Sequence, residues 1–280
     1  MRYRRGFIAL SDDRDIPMLV TIRNARAITC DQICALLLNN GLESCRRSVH
    51  WRLARLEQNG LVERIDCGRL LPEPVFAITH SGLELLELRG HALVSLPSTT
   101  KEIVRRSQVL HSVELAGICT ALTTAHVLTS WQWELEVLSQ NLVYGGRCAK
   151  DFDALAEVSD GNRVRGFAIE FERTAKGSAR YGDLRKVLSA DKSVDTILYL
   201  TPDPSILYLL AAELRAVDKR IGFALSRAFR SSLLSTNVLT NASANDVVTF
   251  REFFLDEMAC FVRRADDGAS LARQLRLNQY

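Results

Sequence analysis

Apolar residues follow two rhythms along the chain. Between residue 12 and about residue 90 they recur every three to four positions; between 130 and 250 they form short alternating or continuous runs with helical stretches between them. The first rhythm predicts helix, helix, helix, hairpin, helix. The second predicts strands alternating with helices, a mixed sheet with helices on its flanks. In the first region, TCDQICALLL (29–38) sets Thr29 as a cap ahead of a helical apolar face, and Asn39, Asn40 and Gly41 stop it. ESCRRSVHWRLARLEQNGLVER follows, and the spacing predicts a helix over 44–59 with Val49, Leu53 and Leu56 on one ridge. Opposite that ridge lie Arg47, Trp51, Ala54, Arg55 and Gln58, with Arg46 and His50 toward one flank, and Asn59-Gly60 ends the helix. LVERIDCGRLLPEPVFAIT (61–79) predicts two short strands around a loop bearing Gly and Pro, and HSGLELLELRG (80–90) another helix.

A loop, SLPSTT (95–100), and a helical stretch over 101–125 lead into the second region, so the expected domains are 1–95 and 101–280. There WQWELEVLS (131–139) alternates as a strand does, and a Gly145-Gly146 loop follows. KDFDALAEVSDGNRVRGFAIEFER (150–173) predicts a hairpin turning near Asp160-Gly161. A helix over 178–190, the strand TILYLT, a helix over 204–218, and strands in IGFALSRAF and VVTFREF complete the pattern. The C-terminal ASLARQLRLNQY carries Leu271, Leu275 and Leu277, a stretch fit to dock on the body or on a second chain.

At 280 residues the chain is long enough for two domains, and 47% hydrophobic with 25% charged residues is the balance of a soluble globular protein. The net charge of +3 is too small to announce a nucleic-acid partner, so the distribution of charge has to decide. Phe7 to Leu10 is too short an apolar core for a signal peptide, no run spans a bilayer, and the seven cysteines form no C-x-x-C pair. Free thiols in a reducing cytosol, and a cytoplasmic protein with no membrane partner, are expected. Cys30 and Cys34, one helical turn apart beside Ile33, Leu37 and Leu38, read as small buried hydrophobes, with a metal site as the alternative. His80 reads as a helix-opening residue and His111 as a half-buried, satisfied one. No P-loop and no Gly-x-Ser-x-Gly elbow is present, so a P-loop ATPase and a serine hydrolase are not indicated.

Charge is concentrated where the pattern places the 44–59 helix. Residues 44–69 hold six arginines against three acids, and four of those arginines precede the helix's first acid, Glu57. The helix, the run LEQNGLVER and the segment FAITHSGLELL together resemble a winged helix-turn-helix over the first third of the chain. The resemblance implies a helix that enters the major groove, with Arg46, Arg47, His50, Trp51, Arg55 and Gln58 toward DNA and Arg64 and Arg69 of the wing on the backbone. The bland alternative is a solvated charged face; for Trp51, DNA, a partner and the domain core are all open.

GFAIEFERTAKGSARY (166–181) sets Glu170 and Glu172 on one face of a strand, and the hairpin can bring Asp153 beside them. Adjacent carboxylates need a cation, a proton or a donor between them, and such a cluster can hold Mg²⁺ or Mn²⁺ for phosphoryl chemistry. Equally, Lys176, Arg180 or Arg173 can neutralise it as a structural ion network. The segments DFDALAEV and IEFERTAKGSARY resemble the PD-(D/E)XK nuclease-like fold, and the whole chain resembles the replication-relaxation family, winged-helix proteins of plasmids and other mobile elements. On that resemblance Asp153 is the first acid, Glu170 and Glu172 the pair, and Lys176, Arg180 and Tyr181 the cationic segment, with Arg180 available to nucleic acid. His111 and Glu114 fall where the fold has a helix with inward polar residues. Two departures stand out: Phe152 where the nuclease motif has proline, and Glu172 where it has lysine.

The resulting expectation is an α+β chain, a winged helix-turn-helix followed by a PD-(D/E)XK-like mixed-sheet domain. It acts as a sequence-specific double-stranded DNA-binding protein of a mobile element, in replication, transfer or transcriptional control. A homodimer is expected, with replication or transfer proteins as further partners and no cofactor needed for DNA binding. The alternative is a Mg²⁺- or Mn²⁺-dependent endonuclease using Asp153, Glu170, Glu172 and Lys176, a site that Glu172 in place of lysine would leave silent.

Overall fold

The computed structural model describes residues 9–105, 108–146, 148–242 and 247–255. Leu271, Leu275, Leu277 and Cys260 lie outside the described residues, as do residues 1–8. The fold is α+β and divides into two compact units, residues 1–147 with 151–155, and 148–150 with 156–280.

The first unit opens with α1 (Asp15–Ala25), a short β1 (Ile28–Thr29), α2 (Cys30–Asn39) and α3 (Arg46–Gln58). β2 (Val62–Ile65) and β3 (Val75–Ile78) follow, forming with β1 an antiparallel sheet in the order β1-β3-β2. Thr29 starts α2 through a reciprocal capping box: its side chain accepts from the Gln32 amide, and the Gln32 side chain accepts from the Thr29 amide. The Gln32 side-chain Nε2 then donates to Val113 O at 2.8 Å. Met18, Leu19 and Ile22 of α1, Ile33 and Leu37 of α2, and Val49, Leu53 and Leu56 of α3 are all buried, so the expected ridge of the 44–59 helix is the one that packs.

α4 (His80–Leu88) is opened by Thr79, whose hydroxyl accepts from the Gly82 amide at 3.1 Å and donates to Gly60 O at 2.5 Å. Only glycine fits at 82, because a Cβ there would stand 2.3 Å from Leu61 O. α5 (Val109–Thr124) buries residues around its whole circumference and packs on α1, α2 and β1. β4 (Leu128–Trp133) and α6 (Glu134–Tyr144) complete the unit. The stretch expected as a strand over 131–139 is therefore strand only to Trp133 and helix from Glu134. Glu136 is the reason at its start: its carboxylate accepts the Trp133 amide at 3.0 Å, and Glu134 and Glu136 place negative charge in the first turn.

The second unit contains six of the seven strands of the larger, mixed sheet. They are β5 (Ala154–Ser159, which begins in the first unit), β6 (Val164–Phe171), β7 (Thr196–Thr201), β8 (Arg220–Leu225), β9 (Asn237–Thr240) and β10 (Val247–Thr249), in the order β10-β9-β8-β7-β6-β5. α7 (Ser178–Ala190) and α8 (Pro204–Glu213) make the crossovers of the parallel pairs β6–β7 and β7–β8, while β8–β9 and β9–β10 are antiparallel. The hairpin about Asp160-Gly161, the helix over 178–190 and the strand TILYLT fall where the pattern put them. IGFALSRAF and VVTFREF do not remain strands: each turns into a helix, α9 (Ser226–Ser232) and α10 (Phe250–Leu255). The helix expected over 204–218 ends at Glu213, and among the described residues the stretch 101–125 is helical only from near 109. At the centre, Gly222 lets Val238 and Phe253 close on the β8 backbone, where a Cβ would stand 2.7 and 2.8 Å from them. No helix among the described residues is long and apolar enough to cross a membrane.

Candidate functional site

α3 is seated by its apolar ridge and by a second row beside it. Ser48, Arg52 and Arg55 follow each other at i, i+4 and i+7, and Asp15 at the start of α1 and Glu43 in the α2–α3 connection hold them. Arg52 pairs with Asp15 at 3.0 Å and with Glu43; Arg55 pairs with Asp15 and donates to Ala9 O at 3.2 Å; the Ser48 hydroxyl donates to Glu43 at 2.5 Å. The Asp15 and Glu43 side chains have no exposed surface, and those of Arg52 and Arg55 retain 13% and 11%. Burial works to raise the Asp15 pKa, but the Ser11 amide and the two guanidiniums outweigh it and hold the carboxyl below its ordinary value. Arg55, expected on the outward side, is thus turned into the protein. It sits at the edge of the apolar face, near enough for Asp15 to draw it in. No signal along the chain marks this pairing, since Asp15 lies 37 and 40 residues from its two arginines.

The outward side that remains consists of Arg47, Trp51, Ala54 and Gln58, all exposed. Trp51 is 53% exposed, with the Arg55 guanidinium 4.8 Å and the Arg52 guanidinium 5.8 Å from its ring centre. The indole therefore caps the ion cluster while still presenting surface to solvent. On the other flank, exposed Arg46 pairs with Asp31 at the start of α2, and His50 is exposed. On the β2–β3 hairpin, Arg64 pairs with Glu57 at 3.2 Å and lies 5.4 Å over the Phe76 ring, and Arg69 is exposed in the 66–74 loop.

In the second unit Glu170 and Glu172 are buried, and each holds a lysine: Glu170 pairs with Lys150, Glu172 with Lys176. The turn after β6 sets this up. The Glu172 amide prolongs the pairing to Leu200 O at 2.9 Å, the chain reverses, and the Lys176 amide donates to the hydroxyl of fully buried Tyr181 at 3.1 Å. Lys176 clamps, Tyr181 anchors and Arg180 stays exposed. Lys150 carries no motif signal and was missed. Asp153 is counted with the first unit, where His111 Nε2 lies 3.3 Å from its carboxylate, so His111 is indeed half-buried and satisfied. His80 opens α4 and reaches Ser98 O at 3.1 Å.

A third grouping lies where α2 meets α3. Cys30, Cys34 and His50 are, among the described residues, the one set of three His, Cys, Asp or Glu ligand atoms all within 4.8 Å of one another. Cys34 is buried and Cys30 half-exposed. The Cys34 thiol, hydrogen-bonded to Cys30, lowers the Cys30 pKa to about 7 and is itself pushed up.

An α+β protein with a helical unit built on a small three-stranded sheet and carrying an exposed arginine–tryptophan helix face, and a mixed-sheet unit with two lysine-clamped glutamates, is the class these features define. The profile of one family, described as replication-relaxation, matches residues 19–182, more than half the chain, and the chain belongs to that family. Membership implies involvement in the replication of mobile elements. No curated protein and no solved structure matches the chain.

Proposed function

We propose that the chain is a sequence-specific double-stranded DNA-binding protein of a mobile element, with residues 1–95 as a winged helix-turn-helix and α3 as its recognition helix. The observation that carries the reading is the division of labour on α3. One side is fixed by Val49, Leu53, Leu56 and the buried Arg52–Arg55 cluster, and the opposite side offers Arg47, Trp51 and Gln58 to solvent. A rigidly seated helix with an outward guanidinium and amide suits base and phosphate contact in a major groove. Arg46 and His50 flank it, and Arg64 and Arg69 of the hairpin suit the backbone of the same duplex. Arg180 is a further exposed cation for nucleic acid. Arg55 is not a contact in this reading; its task is to hold the helix. Replication, transfer and transcriptional control are the processes such a protein serves, as a cytoplasmic homodimer. The test is fluorescence anisotropy with duplexes tiled across the element's own replication region. Binding of one fragment above the rest, weakened by Arg47→Ala, is expected; equal, weak binding to all of them would refute it.

The 101–280 segment is read as a PD-(D/E)XK-like scaffold rather than a nuclease. The two buried glutamates are balanced one to one by Lys150 and Lys176, so the pair offers a divalent cation no net negative charge, and it does not fit a resident Mg²⁺ or Mn²⁺ as it stands. The endonuclease alternative, with Asp153, Glu170, Glu172 and Lys176, is checked by incubating bound DNA with Mg²⁺ or Mn²⁺. Cleavage by the wild type that Asp153→Ala abolishes would establish it.

A further inference from the structure

Two sulfur atoms and an imidazole nitrogen converge at the junction of the two helices that form the helix-turn-helix. Cys30 is the first residue of α2, and Cys34 lies one turn on along the same face, so both thiols point to one side. His50 is in the second turn of α3, and its Nε2 lies 3.8 Å from Cys30 Sγ. Three ligand atoms within 4.8 Å of one another are the right distance apart to share an ion. With Zn–S near 2.3 Å and Zn–N near 2.0 Å, a tetrahedral ion holds its ligand atoms about 3.5–3.8 Å apart. The donor set is soft, which suits Zn²⁺ and excludes the hard-oxygen chemistry of Mg²⁺.

We propose that Cys30, Cys34 and His50 bind a Zn²⁺-class cation that pins the recognition helix to the helix before it. Each thiol gives its proton to solvent as the thiolate forms, and the neutral imidazole donates through Nε2. Cys34 supplies a buried corner and Cys30 a half-exposed one. Exposed His50 leaves the fourth corner open on the solvent side for water. While the ion is bound, the Nε2 of His50 is committed to it and cannot touch a base. The site thus sets how α3 is presented, and it can be measured with no DNA in the tube.

The experiment uses the full chain, reduced and stripped with chelator, titrated with Co²⁺ and then displaced by Zn²⁺. The expected result is one equivalent bound with thiolate-to-cobalt charge-transfer absorption. Cys30→Ser diminishes that absorption, because only the Cys34 thiolate remains, or weakens binding by more than about tenfold, already the size that outer-shell partners reach. His50→Ala keeps the thiolate bands but shifts the visible spectrum and weakens binding. Circular dichroism checks that each variant is folded, and half-exposed Cys30 is the substitution least able to disturb the core. Zn²⁺ raises the melting temperature of the wild type and not of Cys30→Ser, because only the native site adds binding free energy. Charge-transfer bands unchanged in Cys30→Ser, a spectrum unchanged in His50→Ala, or no thiolate bands in the wild type would each overturn the proposal.

Discussion

Single residues settle matters that periodicity leaves open. Asp15 is one: it is fully buried, and it serves two guanidiniums of the α3 helix. Removing one partner of a buried ion pair leaves uncompensated charge behind, so Asp15→Asn is expected to destabilise the protein by about 3 kcal/mol at neutral pH. Because the folded carboxyl titrates below its ordinary value of 3.8, its contribution is fully present above that pH and is lost as pH falls through the depressed folded value. The gap between wild type and Asp15→Asn in urea denaturation should therefore be constant from neutral pH to about pH 5 and close only below 3.8; a gap that closes already between pH 7 and 5 would show that another group carries the effect. Gly222 is a second such residue. Gly222→Ala forces a methyl group against Val238 and Phe253, and overpacking of that kind costs about 1–3 kcal/mol, read as a lower denaturation midpoint. Neither role could be read along the chain. Asp15 looks like any acid ahead of an apolar run, and its partners lie 37 and 40 residues on.

At the scale of elements, the sequence was most legible where one period ran uninterrupted: the α3 ridge, the β5–β6 hairpin, α7 and β7. It failed where a strand passed directly into a helix with no glycine or proline to mark the change. VVTFREF held the missing signal, since Thr249 and Glu252 form a Thr-x-x-Glu capping box, with the Thr249 amide donating to the Glu252 carboxylate at 2.7 Å and the Glu252 amide to the Thr249 hydroxyl at 3.2 Å. WQWELEVLS held less, because its buried residues Leu135, Val137 and Ser139 still alternate although the backbone is helical. On α3 the pattern separated the buried ridge from the exposed face, but it could not separate an arginine that reaches outward from one that folds inward at the edge of the same face. That distinction gives a paired prediction. Arg47→Ala should weaken DNA binding with the melting temperature unchanged. Arg55→Ala should lower the melting temperature by several degrees, the shift expected of a broken buried pair. Its binding at low temperature should be weakened less than that of Arg47→Ala. The reverse pattern would mean that the outward and inward faces of α3 are assigned the wrong way round.

For the whole molecule, the small net charge constrains how DNA would be held under the proposed function. With a formal charge of +3 over 280 residues, little broad electrostatic attraction is on offer, so on that proposal affinity would come from a few local contacts on α3 and the β2–β3 hairpin. Each phosphate neutralised contributes a salt slope of about 0.9 in log K against log salt, and removing Arg69 should reduce the measured slope by about one such unit whatever the duplex sequence. A handful of contacts from one recognition helix also gives limited specificity, since each wrong base pair costs only about 1–3 kcal/mol. Two half-sites read by two copies roughly add those energies, and this is the physical case for a dimer on DNA. The two α3 helices would then have to meet successive major grooves, about 34–36 Å apart along one face of the duplex. A preferred site should accordingly be a near-palindrome, and light scattering should find two protomers on it. Cutting the duplex to one half-site should lower affinity at least tenfold. A single protomer bound to a full-affinity site would remove the dimer from the reading and leave the specificity to α3 and the hairpin alone.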